Sequence, residues 1–202
     1  MKDLKKAFAT AVIASGAMVL SACSPPPSET QKPRDGERRL TQGEVTLAQE
    51  IFGNQINYNR IFVERSKSSG SSRALNGRIS FSQSHYRDDF SQSQNASALS
   101  VYFHELTHIW QEQNGVDLAS SAVSLFFENG GNYNNAYDYE MSDLPNFSRL
   151  GIEQQGEIIE DYVLLTKALK NFNRTTYCPS IHKYEDALKP VFPVIQTPDL
   201  CR

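Results

Sequence analysis

His104-Glu105-Leu106-Thr107-His108 is the stretch that decides the fold of this 202-residue chain. The two histidines are four residues apart, which places both imidazoles on one face of a helix, one turn apart. Two imidazoles at this spacing can bind one Zn²⁺, and the glutamate between them lies about 100° around the helix from the first histidine. The motif therefore predicts a zinc site on a helix, with His104 and His108 as ligands and Glu105 as general base and acid.

An apolar stripe runs along residues 97–114 and predicts the helix that carries this motif. Its members recur at spacings of four, three and four: Leu99, Phe103, Leu106 and Trp110. The stripe is centred nearly opposite the motif, so core packing and metal binding fall on different sides of the helix. This division is typical of a central active-site helix, and a polar face that is merely solvated is the alternative interpretation.

A catalytic zinc ion needs a third protein ligand and a fourth position for water. The second strong helical pattern, residues 152–172, places four residues on one face: Glu153, Gly156, Glu157 and Glu160. An acidic face of this kind is usually only solvated. Glycine in mid-helix costs about 1 kcal/mol relative to alanine, however, so its presence indicates that another backbone comes close. Such an approach would bring Glu153 to the metal.

Taken together, the two helices resemble the gluzincin family of zinc peptidases. The family's pattern stands here as His104-Glu-x-x-His108 and Glu153-x-x-Gly156-Glu157. The resemblance implies that Glu153 is the third zinc ligand and that the small residue permits helix packing. It also implies that Glu157 is not itself a ligand but orients a zinc-bound histidine.

Residues 73–165 are similar more widely to a group of small zincin-like bacterial proteins, some of them described as Vgr-related. The resemblance implies one zincin-like α+β domain, mainly helical, in which a small antiparallel sheet packs on the central motif helix. It also implies one Zn²⁺ per chain and metallopeptidase activity. The alanine usual in this group is Gly156 here. A different ligand set stays open, in which Glu157 or Glu160 is the third ligand and Asp161 is the supporting acid.

Local patterns predict the remaining elements of a domain that spans residues 40–202. Thr41 and Glu44 form a capping box at the start of a short helix. Two β-rich stretches around a polar loop predict a small antiparallel sheet. The predicted segments are strands at 61–63 and 78–82, helices at 119–127 and 180–188, and loops at 66–72 and 132–147.

Three residues outside the two helices are candidates for stabilising the oxyanion that forms during peptide hydrolysis. They are Tyr137, Tyr139 and His182. Of these, the two tyrosines are kept as catalytic candidates. Residues 79–84 are expected to form an edge strand that aligns an extended substrate through backbone hydrogen bonds.

The first residues form a targeting segment, in which a lysine-rich start precedes a short apolar run at residues 7–20. The run ends in Leu20-Ser21-Ala22-Cys23, which resembles the lipobox of bacterial lipoproteins. The resemblance implies a signal peptide at residues 1–22 and a diacylated Cys23 as the new N-terminus. An ordinary secretory signal with a chance cysteine is the alternative.

Residues 23–39 are expected to be a lipidated, disordered tether, because they contain no apolar residue other than proline after Cys23. The lipid would anchor the chain in the cell envelope of a Gram-negative bacterium. Because Ser24 follows the cysteine, the resemblance favours the outer membrane, facing the periplasm. In this oxidising compartment Cys178 and Cys201 are expected to form a disulfide rather than remain as free thiols.

The formal net charge of −3 argues against nucleic acid as a partner. The expected function is zinc-dependent hydrolysis of a peptide bond in the cell envelope, in a protein or in the peptide of peptidoglycan. Two other functions stay open, namely a non-catalytic lipid-anchored binding or assembly protein and a secreted effector that hydrolyses a foreign target. Retention of Glu105 argues against the first, and lipidation argues against the second.

Overall fold

The motif helix α2 (Ala96–Gln113) lies at the centre of the fold and has the bounds that the sequence predicts to within one residue. The Asn95 side chain caps its start by accepting a hydrogen bond from the Ala98 amide at 2.9 Å. Past its end, Gly115 has a φ of +90°, which residues with a side chain rarely adopt. The computed structural model describes residues 32–67 and 71–202, which form one domain. Its elements are β1 (Glu37–Arg39), α1 (Gln42–Phe52), β2 (Phe62–Arg65), β3 (Arg73–Leu75), β4 (Arg78–Phe81), α2 (Ala96–Gln113), α3 (Leu118–Glu128), α4 (Ile152–Phe172) and α5 (Cys178–Leu188).

Several predictions lie outside the described residues. They are the signal peptide at residues 1–22, the lipidated Cys23 and the first part of the tether. Within residues 32–67 and 71–202, no helix is both long enough and apolar enough to cross a bilayer.

Helix α4 packs along α2 and has the bounds predicted from the sequence. The apolar sides of the two helices meet in the core, where Leu99 and Leu106 of α2 are buried together with Ile158 and Ile159 of α4. Their polar sides meet at one edge of this contact. The packing of the two apolar stripes therefore sets the position of Glu153 relative to the histidines of the motif.

Four short strands form a mixed sheet in the order β1-β2-β4-β3. Strands β2 and β4 are parallel, whereas β1–β2 and β3–β4 are antiparallel. The predicted antiparallel pairing of the two central strands is wrong, because the unpredicted strand β3 forms a tight hairpin with β4. The hairpin turns at Asn76 and Gly77, which have φ values of 54° and 71°. Glu112 of α2 accepts hydrogen bonds from both of their amides, at 2.7 and 2.8 Å, and so fixes the hairpin to the motif helix.

Strand β1 falls inside the segment for which the sequence predicts a disordered tether. It is held by Arg38, which donates two hydrogen bonds of 2.8 Å to Glu44. Glu44 is fully buried and completes the predicted capping box with Thr41 at the start of α1. The sheet therefore begins at Glu37 rather than after residue 40, because one carboxylate caps α1 and also neutralises the arginine of β1.

The other helices are close to their predicted positions. α3 extends the predicted helix by one residue at each end, and α5 begins two residues before its predicted start. The segment 132–147 is coil that contains short 3₁₀ turns. Cys178 and Cys201 lie 5.3 Å apart at Cα with their sulfur atoms at bonding distance, so they form the disulfide-capable pair that the sequence predicts.

Candidate metal centre

The imidazoles of His104 and His108 meet the carboxylate of Glu153 in a buried cluster that joins α2 to α4. Nε2 of His104 lies 3.2 Å from Oε2 of Glu153, and Nε2 of His108 lies 3.3 Å from the same oxygen. All three residues are buried. The structure therefore brings together the three side chains that the sequence predicts as metal ligands, and they form a possible metal site.

The donor atoms and their spacing fit a zinc ion. Zinc takes histidine nitrogen and carboxylate oxygen at about 2.0–2.1 Å in a tetrahedral arrangement, which places neighbouring ligand atoms about 3.3 Å apart. The two separations at Glu153 match this spacing. Oε2 of Glu105 is buried and has no hydrogen-bond partner in the part of the chain that the structure describes. A polar atom is therefore available at the same centre for water or substrate.

Gly156 of α4 lies against the ring of His104. A Cβ atom at this position would lie 2.8 to 3.0 Å from three atoms of the imidazole, closer than real Cβ atoms approach other atoms. The interpretation of this mid-helix glycine as a packing residue is confirmed. The group that it accommodates is the ligand side chain itself, and not the backbone of α2.

Replacing Gly156 with alanine has two opposing effects, because alanine favours the helix but its methyl group would meet the ring of His104. Propensity alone predicts stabilisation by about 1 kcal/mol. The added methyl group would displace the ring of His104 from Glu153, so we expect zinc affinity to fall by about 10- to 100-fold, as for loss of a supporting contact. Competition with a chelating dye measures this affinity.

Ala168→Gly is the matched control, because it changes helix propensity about three turns further along α4. It should lower the free energy of unfolding and leave zinc affinity unchanged. An alanine at position 156 that binds zinc as tightly as the glycine would contradict the packing argument.

The other ring nitrogen of His104 faces acidic side chains of α4. Its Nδ1 lies 3.3 Å from Oε2 of Glu160 and 3.8 Å from Oε2 of Glu157. Ser100 donates a hydrogen bond of 2.8 Å to Glu160 and so holds the nearer carboxylate. The supporting role that the resemblance assigns to Glu157 is therefore filled more closely by Glu160. Both carboxylates lie on the Nδ1 side, away from His108, so the geometry favours neither as the third ligand.

His108 is held by a chain of amide hydrogen bonds that the sequence analysis does not predict. Its Nδ1 lies 2.9 Å from Oε1 of Gln111. The Gln111 amide donates to the Ile152 carbonyl and to Gln155, which in turn donates to the Phe147 carbonyl. Because both amide protons of Gln111 have acceptors, its oxygen faces His108, keeps Nδ1 protonated and leaves Nε2 free as a ligand. The i, i+3 spacing on α2 is the sequence signal that could have indicated this contact.

Glu105 lies between the two histidines in sequence, is buried, and lines a cleft that opens beside the cluster. Burial raises the pKa of its carboxyl group to about 7, and the neighbouring His108 and His104 partly offset this rise. A carboxyl group that titrates near neutral pH can both accept and return a proton. This is the behaviour that the predicted role of general base and acid requires.

The acidic surroundings of His104 favour positive charge at the centre. Burial opposes protonation of the ring, but contacts with Glu153 and Glu160 outweigh it and raise the pKa to about 10. Burial likewise opposes ionisation of Glu153, yet hydrogen bonds with His104 and His108 lower its pKa far below the usual range. The field that stabilises a proton on His104 would also attract a divalent cation.

Of the three predicted oxyanion donors, the structure brings Tyr137 to the cluster. Its ring centre lies 5.9 Å from that of His104, and it lines the same cleft. Tyr139 instead donates a hydrogen bond to Asp161 on α4, and His182 is half-exposed on α5. The prediction that Tyr139 is catalytic is not supported, because its hydroxyl is directed to a carboxylate outside the cleft.

Tyr133 is a site residue that the sequence patterns do not reveal. Its hydroxyl donates a hydrogen bond of 2.5 Å to Oε1 of Glu153, the carboxylate oxygen that does not face the histidines. Its ring also packs edge-on against Tyr137, with 5.9 Å between ring centres. The residue lies in coil rich in asparagine and tyrosine, where no periodicity indicates which side chain turns inward.

A cleft of about 310 Å³ is lined in part by the cluster. One wall is β3, the edge strand of the sheet, which contributes Leu75. The other wall is α3, which contributes Leu118, Ala119 and Ala122. The prediction of an edge strand at residues 79–84 is wrong, because its strand β4 lies between β2 and β3. The exposed edge beside the centre belongs to β3.

Comparison with known proteins finds similarity in sequence and fold to a spike protein of type VI secretion. No family model matches the chain. In an alignment of 136 residues that covers 63 % of this chain, it is 27 % identical to the type VI secretion system spike protein VgrG2b of Pseudomonas aeruginosa. The structure is similar to the effector domain of that VgrG2b, with a TM-score of 0.56 and 28 % sequence identity.

The likeness in sequence and in fold supports homology with this effector domain. It covers 73 % of this chain and 83 % of the solved domain, but only 13 % of the length of the whole spike protein. The predicted resemblance to Vgr-related proteins is confirmed at this level. The rest of the spike protein has no counterpart in this likeness.

Proposed function

We propose that this chain is a zinc-dependent hydrolase of the metallopeptidase type, which cleaves a peptide bond. The observation that carries the proposal is the convergence of two imidazole Nε2 atoms on one oxygen of Glu153, at 3.2 and 3.3 Å, in a buried position that opens to a cleft. His104, His108 and Glu153 would hold the zinc ion. When bound, zinc lowers the pKa of water and polarises the scissile carbonyl.

The side chains around the centre have separate roles in this proposal. Glu105 accepts a proton from the attacking water and returns it to the leaving nitrogen. Gln111 and Glu160 orient the two imidazoles through their Nδ1 atoms. Tyr133 holds Glu153, and Tyr137 is the candidate donor to the oxyanion.

The location of the reaction is part of the proposal. The lipobox-like Leu20-Ser21-Ala22-Cys23 supports a lipid anchor at Cys23 and a place in the cell envelope. A secreted effector hydrolase is the second candidate function, and the likeness to the VgrG2b effector domain favours it. The two differ in the target rather than in the chemistry of the centre.

Metal content and peptide cleavage together test the proposed function. Elemental mass spectrometry of the purified chain is expected to find one zinc per chain, and the chain should cleave an unfolded protein until a chelator removes the metal. A chain that binds no zinc when supplied with it would contradict the proposal. The remaining function would then be that of a lipid-anchored binding protein.

Two tyrosine variants separate oxyanion stabilisation from support of the metal ligand. Tyr137→Phe is expected to lower kcat by about 10²- to 10³-fold, because it removes a hydrogen-bond donor to the oxyanion, and to weaken zinc binding less than loss of the Tyr133 hydroxyl does. Tyr133→Phe, the matched control, should instead weaken zinc binding by about 10- to 100-fold, because it frees one oxygen of Glu153. Equal effects of both variants on zinc affinity would place Tyr137 among the supporting residues.

A further inference from the structure

Helix α3 carries an apolar face that is exposed beside the cleft. Phe127, Val123 and Phe126 are 74 %, 58 % and 44 % exposed. Around the helix axis, Ala119, Ala122, Val123 and Phe126 fall within an arc of about 100°. The serines of the helix lie on a different side: Ser120, Ser121 and Ser124. The helix therefore presents one apolar strip, with small residues at one end and bulky residues at the other.

This strip continues the wall of the candidate metal centre. Ala119 and Ala122 line the cleft, and Val123 and Phe126 extend the same side of the helix outward by about one turn. Across the cleft, Leu75 on the edge strand β3 is 43 % exposed. An extended chain that binds along β3 would therefore have apolar side chains of α3 on its other side.

The exposed face does not result from a loosely placed helix. About 40–60° around the helix from Ala122, Leu118 is only 7 % exposed, and Leu125 lies within van der Waals contact of the position that a Cβ on Gly151 would take. Asp117 caps the helix start by accepting a hydrogen bond of 3.0 Å from the Ser120 amide. One side of α3 is seated on the domain, which leaves the apolar strip facing outward.

The charges of the cleft indicate what binds there. Apart from the cluster and its neighbour Glu105, Arg73 is the one charged side chain among the cleft-lining residues that the structure describes. α3 itself contains no lysine or arginine, whereas helices that bind anionic membrane surfaces are rich in them. Stem peptides of peptidoglycan are short and carry several charges, so they match neither the apolar strip nor its length. Bulky apolar side chains of a polypeptide match both.

Resting on the proposed peptidase function, we infer that α3 recognises bulky apolar side chains of an extended protein substrate. The substrate is thus an apolar segment of a protein and not the peptide of peptidoglycan. Such segments are buried in folded proteins. The centre would therefore act on chains that are unfolded or not yet assembled.

Cleavage of a complex peptide mixture tests the inference with the zinc-loaded full chain. Mass spectrometry of the new termini is expected to find phenylalanine, leucine, isoleucine and valine enriched within a few positions of the scissile bond. For one such peptide, the double variant Val123→Ser/Phe126→Ser should raise KM by at least about tenfold and leave kcat unchanged, because it removes only apolar contacts. In the Glu105→Gln background, which should bind the peptide without hydrolysing it, the affinity for a fluorescent form of the peptide can be measured directly. The double variant in this background should lower that affinity by the same factor.

Phe172→Ser is the matched control, because Phe172 is 68 % exposed on α4 and lies outside the cleft lining. Its KM should equal that of the wild type. Cleavage without apolar enrichment, together with an unchanged KM for the double variant, would overturn this inference alone. Absence of any cleavage would overturn the proposed function as well. If the double variant keeps its KM but loses binding to phosphatidylcholine vesicles, α3 contacts a membrane instead.

Discussion

Replacing Glu105 with glutamine is expected to lower kcat for peptide hydrolysis by about 10²- to 10⁴-fold, with one zinc per chain retained. Glutamine has nearly the same shape but cannot accept the proton from water. Oε2 of Glu105 makes no hydrogen bond within the described residues, so replacing this oxygen breaks no hydrogen bond there. Steady-state kinetics and elemental mass spectrometry on the same preparation measure both quantities.

Glu128→Gln is the matched control for this variant, since it removes one carboxylate charge from an exposed position at the end of α3. It should leave kcat at the wild-type value. A Glu105→Gln chain that hydrolyses peptide at full rate would remove the proton-transfer role from this residue. If the wild type binds zinc but neither chain hydrolyses peptide, the centre serves binding or assembly.

Loss of the third ligand is expected to have the largest effect on metal binding. Glu153→Ala should weaken zinc binding by more than about 100-fold, because loss of an outer supporting partner alone weakens it by about 10- to 100-fold. Glu160→Gln should fall within that smaller range, since Glu160 lies 3.3 Å from Nδ1 of His104. Glu157→Gln should have a smaller effect than Glu160→Gln, because its distance is 3.8 Å. Competition with a chelating dye ranks the three variants.

The order of these effects separates the two ligand sets that the sequence leaves open. If Glu157→Gln weakened zinc binding more than Glu160→Gln does, Glu157 would have the supporting role that the gluzincin pattern assigns to it. Full zinc content in Glu153→Ala would show that the ligand set is wrong. His104→Ala is the positive control, because it removes a ligand on which both sets agree.

The helices that carry the centre could be predicted because their signals are local. The two histidines of α2 are one helical turn apart. In both α2 and α4, an apolar stripe lies on the side of the helix opposite to the residues of the centre. The capping box at Thr41 and Glu44 marks the start of α1 in the same way. Gly156 is also a local signal, because glycine disfavours a helix and its presence inside one indicates a packing constraint.

The sheet was harder to predict because its pairing depends on distant contacts. β1 and β3 have three residues each, too few for an alternating pattern, and each contains arginine. Arg38 can enter the sheet because Glu44 neutralises it. The dipeptide Asn76-Gly77 is a strong hairpin signal. It predicts a strand on each side of the turn, and therefore β3 as the exposed edge strand next to β4.

The supporting contacts of the centre depend on how far α4 is rotated against α2. Glu157 and Glu160 lie on the same side of α4, so the sequence cannot decide which carboxylate comes closer to His104. The same holds for Gln155, whose contact with Gln111 crosses between the helices. Tyr133 reaches Glu153 from coil, where the path of the chain follows no period.

The centre also ties together parts of the chain that are far apart in sequence. His104 and Glu153 are separated by 49 residues, and the segment between them contains all of α3 and the coil with Tyr133. An ion bound by both would close this long loop and restrict the unfolded chain as a covalent cross-link does. Metal supply would then set the lifetime of the molecule as well as its chemistry, since a chain that loses its ion opens more often and is more readily degraded.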